Sequence, residues 1–394
     1  MTRIVQIVPF IGPGTGVAGV AWNLEKEFRA LGATVERYTF NDAVRRHWRQ
    51  PWPRVRFVAR IRGGWRMVWF STVGTRRARK FLASRPDAIV ICHNNVLACD
   101  VYVNHGLLLA SMRARGRSTW GIYRNPIHVF IYLRDRVRYR GRTHRAVVCL
   151  SEADAADLRT TYGPVQPRVV VIPNGVDLER FHPPTPEERQ AARAELGLGT
   201  EERVAVFVGH EFSRKGLSFA IQGLQVAPSV LLLIIGGNDD IIAEANAEAQ
   251  QLGVGDRVLF LGPRGSLAPF LAASDFFVLP SAYEANALVV LEALASGLPV
   301  IATPVGFAPE IIADGENGWL VERDGRLVGE RMEQLANLDD SELADWSRRA
   351  RATAERYAWR GVAQRYLELV EELRAERGDE HDDAAGGAAR RTTG

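Results

Sequence analysis

A chain of 394 residues, 46% of them apolar, can bury a sizeable interior and favours two or three domains over one. Its three cysteines, Cys92, Cys99 and Cys149, are too few and too irregularly spaced for a disulfide framework or a four-thiolate metal site, so a reducing compartment is expected. A net charge of +4 conceals a division: residues 1–180 hold 30 Arg and Lys against 12 Asp and Glu, whereas residues 181–394 hold 20 against 34.

The opening RIVQIVPF reads as a buried strand and is too short for the apolar run of a signal peptide. No stretch approaches twenty apolar residues, so the expectation is a cytoplasmic chain without a spanning helix. Residues 17–29 follow as a helix, with Val20, Leu24 and Phe28 on a shared face, and strands are expected at 34–40 and 87–92. Two basic blocks, 45–80 and 113–145, carry much of the positive excess, a field suited to anionic lipid, nucleic acid or phosphorylated substrate. No nucleic-acid motif accompanies the arginines, which argues against a nucleic-acid partner. Within the first block, IRGGWRMVWF interleaves aromatics with guanidinium groups, as suits a face resting on an anionic membrane. Strand, helix and strand at 146–150, 152–160 and 168–172 complete this half, and a Pro-rich link spans 173–186.

The alternation then restarts. Strands are expected at 203–210, 230–235, 257–260, 276–279 and 299–303, with helices at 216–224, 240–252, 267–272 and from 283 onward. Their short, continuous apolar runs mark parallel strands covered on both faces. Two such Rossmann-like sheets leave a crevice where the C-terminal ends of the strands point, and the site is expected there. The stretch after Gly378, DEHDDAAGGAARRTTG, has no periodicity and reads as a mobile tail.

Gly14, Gly16 and Gly19 formally satisfy GxGxxG, and Glu36 stands twenty positions beyond Gly16, where a ribose-binding carboxylate belongs. A nicotinamide or flavin enzyme is therefore one competing class. The glycines also suit any phosphate brought close to a helix N-terminus.

In YEANALVVLEALASG, Glu284 and Glu292 lie about 12 Å apart and about 80° around the axis if the segment is wholly helical. If Glu284 instead precedes the helix, it can turn into the crevice while Glu292 meets a more distant part of the same ligand. Carboxylates accept hydrogen bonds from hydroxyls, so a sugar joined through diphosphate to a nucleoside fits this pair. His210, Arg214 and Lys215 in VGHEFSRKGL supply donors and cations for its charged middle, and the helix start around Asn286, Ala287 and Leu288 adds backbone donors. No Asp-x-Asp pair lies at a plausible nucleotide site, so metal independence is expected.

PSAYEANALVVLEALASGLPVIATPVGFAPEII resembles the signature of the retaining nucleotide-sugar glycosyltransferases of family 4, which have the GT-B fold. VFVGHEFSRKGL, VVIPNGVDLERFHP and SRRARATAERYAWRGVAQRYLELVEEL resemble further blocks of that family, in the same order and spanning the chain to about residue 376. The Tyr-Glu-Ala wording and the basic first half are also similar to the lipopolysaccharide-core glucosyltransferases within it. The resemblance implies an acceptor-side domain at 1–180, a donor domain at 181–357, a terminal helix at 358–376 returning toward the first domain, and a disordered tail at 379–394.

It further implies a catalytic set of His105, Arg214, Lys215 and Glu284, with Glu284 on donor-sugar hydroxyls and the two cations on diphosphate. Substrate contacts would come from Gly14, Gly16, His93, His210, Gly237, Asn286, Ala287, Leu288 and Glu292, the last on the ribose. His210 stands where many relatives have Arg, and Ala285 with Asn286 replace the common Gly-Phe or Pro-Phe, which leaves the sugar open. The implied reaction moves a hexosyl group from a UDP- or GDP-sugar, with no other cofactor, to a hydroxyl of a lipid-linked, cell-envelope or other glycan acceptor. The acceptor proton would pass to a leaving phosphate oxygen. Peripheral contact with the inner face of an anionic membrane is expected of the basic half. A NAD-dependent oxidoreductase or epimerase and a noncatalytic nucleotide-sugar-binding protein are the alternatives.

Overall fold

The computed structural model describes residues 2–14, 16–44, 56–116 and 123–391. Six parallel strands form the first sheet: β1 (Arg3–Ile7), β2 (Thr34–Tyr38), β3 (Ile89–His93), β4 (Val101–Val103), β5 (Ala146–Cys149) and β6 (Arg168–Val171), in the order β2-β1-β3-β4-β5-β6. Six more form the second: β7 (Arg203–Val208), β8 (Val230–Ile235), β9 (Val258–Gly262), β10 (Phe276–Leu279), β11 (Val300–Ala302) and β12 (Gly318–Leu320), in the order β12-β11-β10-β7-β8-β9. This is the α/β arrangement of two facing parallel sheets expected from the sequence. The central strands are buried on both faces because helices cover both sides, which is why their sequences run apolar without alternating.

Each sheet reverses its strand order once within its interior. In the first the reversal falls between β1 and β3, and in the second between β7 and β10. Chain leaving neighbouring strands at such a point departs in opposite directions and opens a crevice at their C-terminal ends. Residues 209–216 and 280–287 therefore meet at one reversal, and residues 8–14, with Gly16, and the end of β3 at the other.

The terminal helix Trp359–Arg391 closes the architecture by returning to the first half. Trp359, Val362, Ala363, Tyr366, Leu369, Val370 and Leu373 share a core with Ile4, Val20, Leu24 and Phe28. The helix continues through 379–391, residues that read as a tail without periodicity. Once nucleated, a helix adds residues at little cost, and the Ala and Arg of this segment are good helix formers.

Residues 45–55 and 117–122 of the two basic blocks lie outside the described residues. The rest of the first block is helical at Arg56–Trp69, passes through a π-turn at Phe70–Gly74 and resumes as helix Thr75–Leu82. Its aromatics divide: Phe70 is buried, Trp69 packs edge-on against Phe40, and Trp65 is 69% exposed. The second block forms helix Pro126–Arg140, started by Asn125, whose side chain accepts the Ile127 N–H. Among the described residues no helix is long and apolar enough to cross a membrane.

Candidate active site

The helix expected from 283 onward begins only at Leu288, so Glu284 lies in the preceding loop and Glu292 on the helix Leu288–Ala295. The loop turns the Glu284 carboxylate toward the first crossover of the second half. Its Oε1 accepts from Arg214 Nη1 at 2.9 Å, Lys215 Nζ at 3.0 Å and Ser281 Oγ at 3.0 Å. Arg214 also donates to the Tyr283 carbonyl at 2.6 Å and pairs with Glu211, which receives Arg115 from the first domain at 3.1 Å. Residues seventy positions apart in sequence are thus joined because β7 and β10 are neighbours.

Two glycines permit this corner. Gly216 caps the short helix Phe212–Lys215 in the left-handed region, at φ 77°, and a Cβ there would stand 2.0 Å from the Pro280 carbonyl oxygen. At Gly209 a Cβ would stand 2.2 Å from Lys215 Cδ, so the lysine stem lies directly over this backbone. Gly209 was not singled out from the sequence, although it directly follows the β7 run.

Gly14, Gly16, His210, Arg214, Lys215, Glu284, Asn286, Ala287 and Leu288 line a cavity of about 450 Å³ between the domains. Arg180 and Arg264, which sequence reading did not single out, line it as well. Gly237 is not among its lining residues, although Gly236 is. A smaller cavity of about 100 Å³, lined by Glu292, Asn23, Asp177 and Trp359, shares Gly14, Arg180, Phe181 and Leu288 with the first. The two carboxylates therefore face adjoining spaces. Glu292 Oε2 and Asn286 Oδ1 are buried without a hydrogen-bond partner. Burial pushes the Glu292 carboxyl up to about 7, with Arg180 and Lys215 pulling the other way.

His105 follows β4 and is half-buried. Its segment is held at both ends: Asn104 donates to both Asp154 carboxylate oxygens at 2.9 and 3.0 Å, and the Leu107 N–H donates to the Tyr283 hydroxyl at 2.9 Å. Tyr283 adjoins Glu284, so this last bond ties the two candidate catalytic segments across the cleft. His93, expected to touch substrate, is fully buried behind His105, with His93 Nδ1 3.1 Å from His105 Nε2. Neither histidine is among the residues lining the two cavities. Glu36, the ribose candidate of the dinucleotide reading, receives Arg3 at 2.7 Å and Arg85 at 2.9 Å, so its carboxylate already has two cationic partners. Among the described residues no group of three or more His, Cys, Asp or Glu side chains is placed to hold a metal ion.

The family model described as Glycosyltransferase Family 4 matches residues 14–180, and that described as Glycosyl transferases group 1 matches 188–353. The D-inositol 3-phosphate glycosyltransferase of Xylanimonas cellulosilytica is 35% identical over 233 residues, covering 57% of this chain and 56% of that protein. The alpha-maltose-1-phosphate synthase of Mycolicibacterium smegmatis is 31% identical over 247 residues, covering 58% and 64%. The chain spans about half the length of the curated relatives it matches. Among solved structures, WaaG, a glycosyltransferase involved in lipopolysaccharide biosynthesis, superposes with a TM-score of 0.72 at 20% identity over 93% of this chain and 99% of that one. Anabaena Alr3699/HepE in complex with UDP and glucose gives 0.68 at 19% identity over 94% and 100%. These structural likenesses show the fold. Both halves of the chain thus match glycosyltransferase family models, in order along most of its length, and its two facing six-stranded parallel sheets have the GT-B fold.

Proposed function

We propose that the chain moves a hexosyl group from a UDP- or GDP-sugar to a hydroxyl of a lipid-linked, cell-envelope or other glycan acceptor, retaining the anomeric configuration. The observation that carries this reading is the convergence of Arg214 and Lys215 on one carboxylate, Glu284, at the edge of a cavity between the domains. A diphosphate entering that cavity competes for the two cations and releases Glu284 to sugar hydroxyls. In this reading Glu292, whose Oε2 has no partner and which lines the neighbouring space, accepts from the ribose hydroxyls.

In the reaction the bond from the anomeric carbon to the diphosphate oxygen breaks as the acceptor oxygen bonds the same carbon on the same face. The acceptor proton passes to the departing phosphate oxygen. Arg214 and Lys215 oppose the charge that develops there, and they act most strongly once domain contact excludes water. The mechanism asks nothing of a metal ion, because fixed cations offset the leaving charge.

A panel of nucleotide sugars tests this. UDP- or GDP-sugars are expected to raise the melting temperature by binding the native state and to support donor-dependent transfer, with turnover unchanged by EDTA. Loss of turnover restored by one divalent ion would reject the metal-independent mechanism. NAD binding with no response to any nucleotide sugar would replace the transferase reading with the oxidoreductase one.

The basic half supports an acceptor carried on an anionic membrane. Trp65 lies exposed on the helix Arg56–Trp69, which packs beside the helix Pro126–Arg140, where Leu133, Arg136, Val137 and Arg140 are exposed together. Vesicles containing anionic phospholipid are expected to retain the protein at low salt and release it at high salt. Equal recovery on neutral vesicles would contradict an electrostatic surface.

A further inference from the structure

Three side chains run in a line from the core of the first sheet to its half-buried margin. Gln6, in the middle of β1, is fully buried, as is His93 at the end of β3, and His105 reaches the half-buried margin. His93 Nε2 stands 3.0 Å from Gln6 Oε1, and its Nδ1 stands 3.1 Å from His105 Nε2. The two imidazoles lie 5.4 Å apart, centre to centre, with planes inclined by 30°.

The direction of every proton in this line follows from its inner end. Gln6 Nε2 lies 3.1 Å from the Ala21 carbonyl oxygen, which can only accept, so the amide nitrogen faces Ala21 and the amide oxygen faces His93. That oxygen can only accept as well, so His93 carries its proton on Nε2. A neutral His93 then presents a lone pair at Nδ1 and requires His105 to donate from Nε2. His105, neutral in turn, has no proton on Nδ1. Both rings are neutral near pH 7: burial, reinforced by His105, holds His93 well below its ordinary range, and burial lowers His105 to about 4.

We propose that Gln6 and His93 are positioning residues that lock His105 in the Nε2–H tautomer, so that its Nδ1 accepts a hydrogen bond from a substrate hydroxyl during transfer. The inference rests on the glycosyl-transfer reading for its last clause and on the hydrogen-bond line alone for the tautomer. It assigns His93 a place behind the reacting groups and not against the donor. It also removes His105 Nδ1 as a proton source for the departing phosphate, whose charge falls to Arg214 and Lys215. Asn104 and Leu107, anchored to Asp154 and Tyr283, keep the His105 backbone in place while the line sets the ring.

The test compares the parent with His93→Leu, which removes the acceptor, and His93→Asn, whose side-chain oxygen restores it at the Nδ1 position. Nitrogen-15 spectra of histidine-labelled protein read the His105 tautomer without donor or acceptor present. The parent and His93→Asn are expected to show protonated Nε2 and bare Nδ1 at His105, and His93→Leu a mixture. In transfer assays His93→Leu is expected to lose about tenfold or more in kcat, on the scale of lost support to a functional imidazole, with donor KM within about twofold. His93→Asn is expected to recover most of that loss. A parent His105 protonated at Nδ1, or an unchanged tautomer in His93→Leu, overturns the lock. Equal impairment of both variants, or a loss confined to donor KM, overturns the positioning role. If the protein transfers no sugar, the spectra still decide the tautomer, and the failure belongs to the transferase reading.

Discussion

Lys215→Ala is expected to lower kcat by roughly a hundredfold or more while the protein still folds, the scale associated with removing one preorganised group that opposes transition-state charge. The fold survives because Glu284 keeps Arg214 at 2.9 Å and Ser281 at 3.0 Å, so no buried carboxylate is stranded. Loss of melting stability is expected to stay below about 2 kcal/mol, the size of one charged hydrogen bond. The catalytic loss is larger because the lysine gains importance only as the leaving diphosphate separates. Steady-state transfer kinetics alongside a thermal melt check both halves of this expectation. Near-normal kcat would remove Lys215 from the departure step, and a collapsed melt would make it a structural residue. Gly209→Ala probes the same group without changing charge, since its new Cβ displaces the lysine stem, and it is expected to lower kcat in the same direction.

Glu292→Gln is expected to raise stability and weaken donor binding together. The folded-state pKa of Glu292, about 7, lies above its ordinary 4.5 because burial disfavours the anion. A carboxyl raised in the native state binds more protons there than in the unfolded chain. Native stability therefore falls as pH climbs from about 4.5 through 7, by roughly 3 kcal/mol once the group is fully ionised. Glutamine carries no such penalty, so the variant is expected to melt higher than the parent at pH 8 and nearly with it at pH 4.5.

Donor binding moves the other way. An ionised carboxylate accepting ribose hydroxyls contributes about 1.5–3 kcal/mol, so donor KM is expected to rise roughly 10- to 100-fold in the variant. In the parent, donor KM is expected to fall as pH rises through 7, and in Glu292→Gln to stay flat. Urea melts and donor KM across pH 5–8 check both. A variant that melts lower at pH 8 with donor KM unchanged would make Glu292 a structural carboxylate.

The fold was legible because buried parallel strands leave short continuous apolar runs, and most strands were located from those runs. Strands β4 and β12 left no such trace, since Val101–Val103 is bounded by Asp100 and Asn104 and Gly318–Leu320 opens on a glycine, whereas the equally short β11 lies within the longer apolar run 298–302. Helix Arg56–Trp69 was hidden because its sequence reads first as a charge field. Arg214, Lys215, Glu284 and Glu292 were legible as residues, from charge placed beside glycine turns and helix starts. Their mutual contacts were not, because the pairing of β7 with β10 is a property of strand order. Nor was the burial of Glu292, which shares its cavity with Trp359 at the start of the returning terminal helix. Gln6 carried a signal that sequence reading passed over: a lone amide inside RIVQI must find partners in a dry interior. Tyr283 stands next to Glu284, yet its bond to Leu107 spans 176 positions and no local pattern announces it.

Transfer as proposed requires a nucleotide diphosphate seated on Arg214 and Lys215. A crystal structure of the protein with a UDP- or GDP-sugar measures this directly. Diphosphate oxygens are expected within hydrogen-bond distance of Arg214 Nη and Lys215 Nζ, with Glu284 turned to the sugar and Glu292 to the ribose. A nucleotide bound elsewhere, with both cations still closed on Glu284, would contradict that seating.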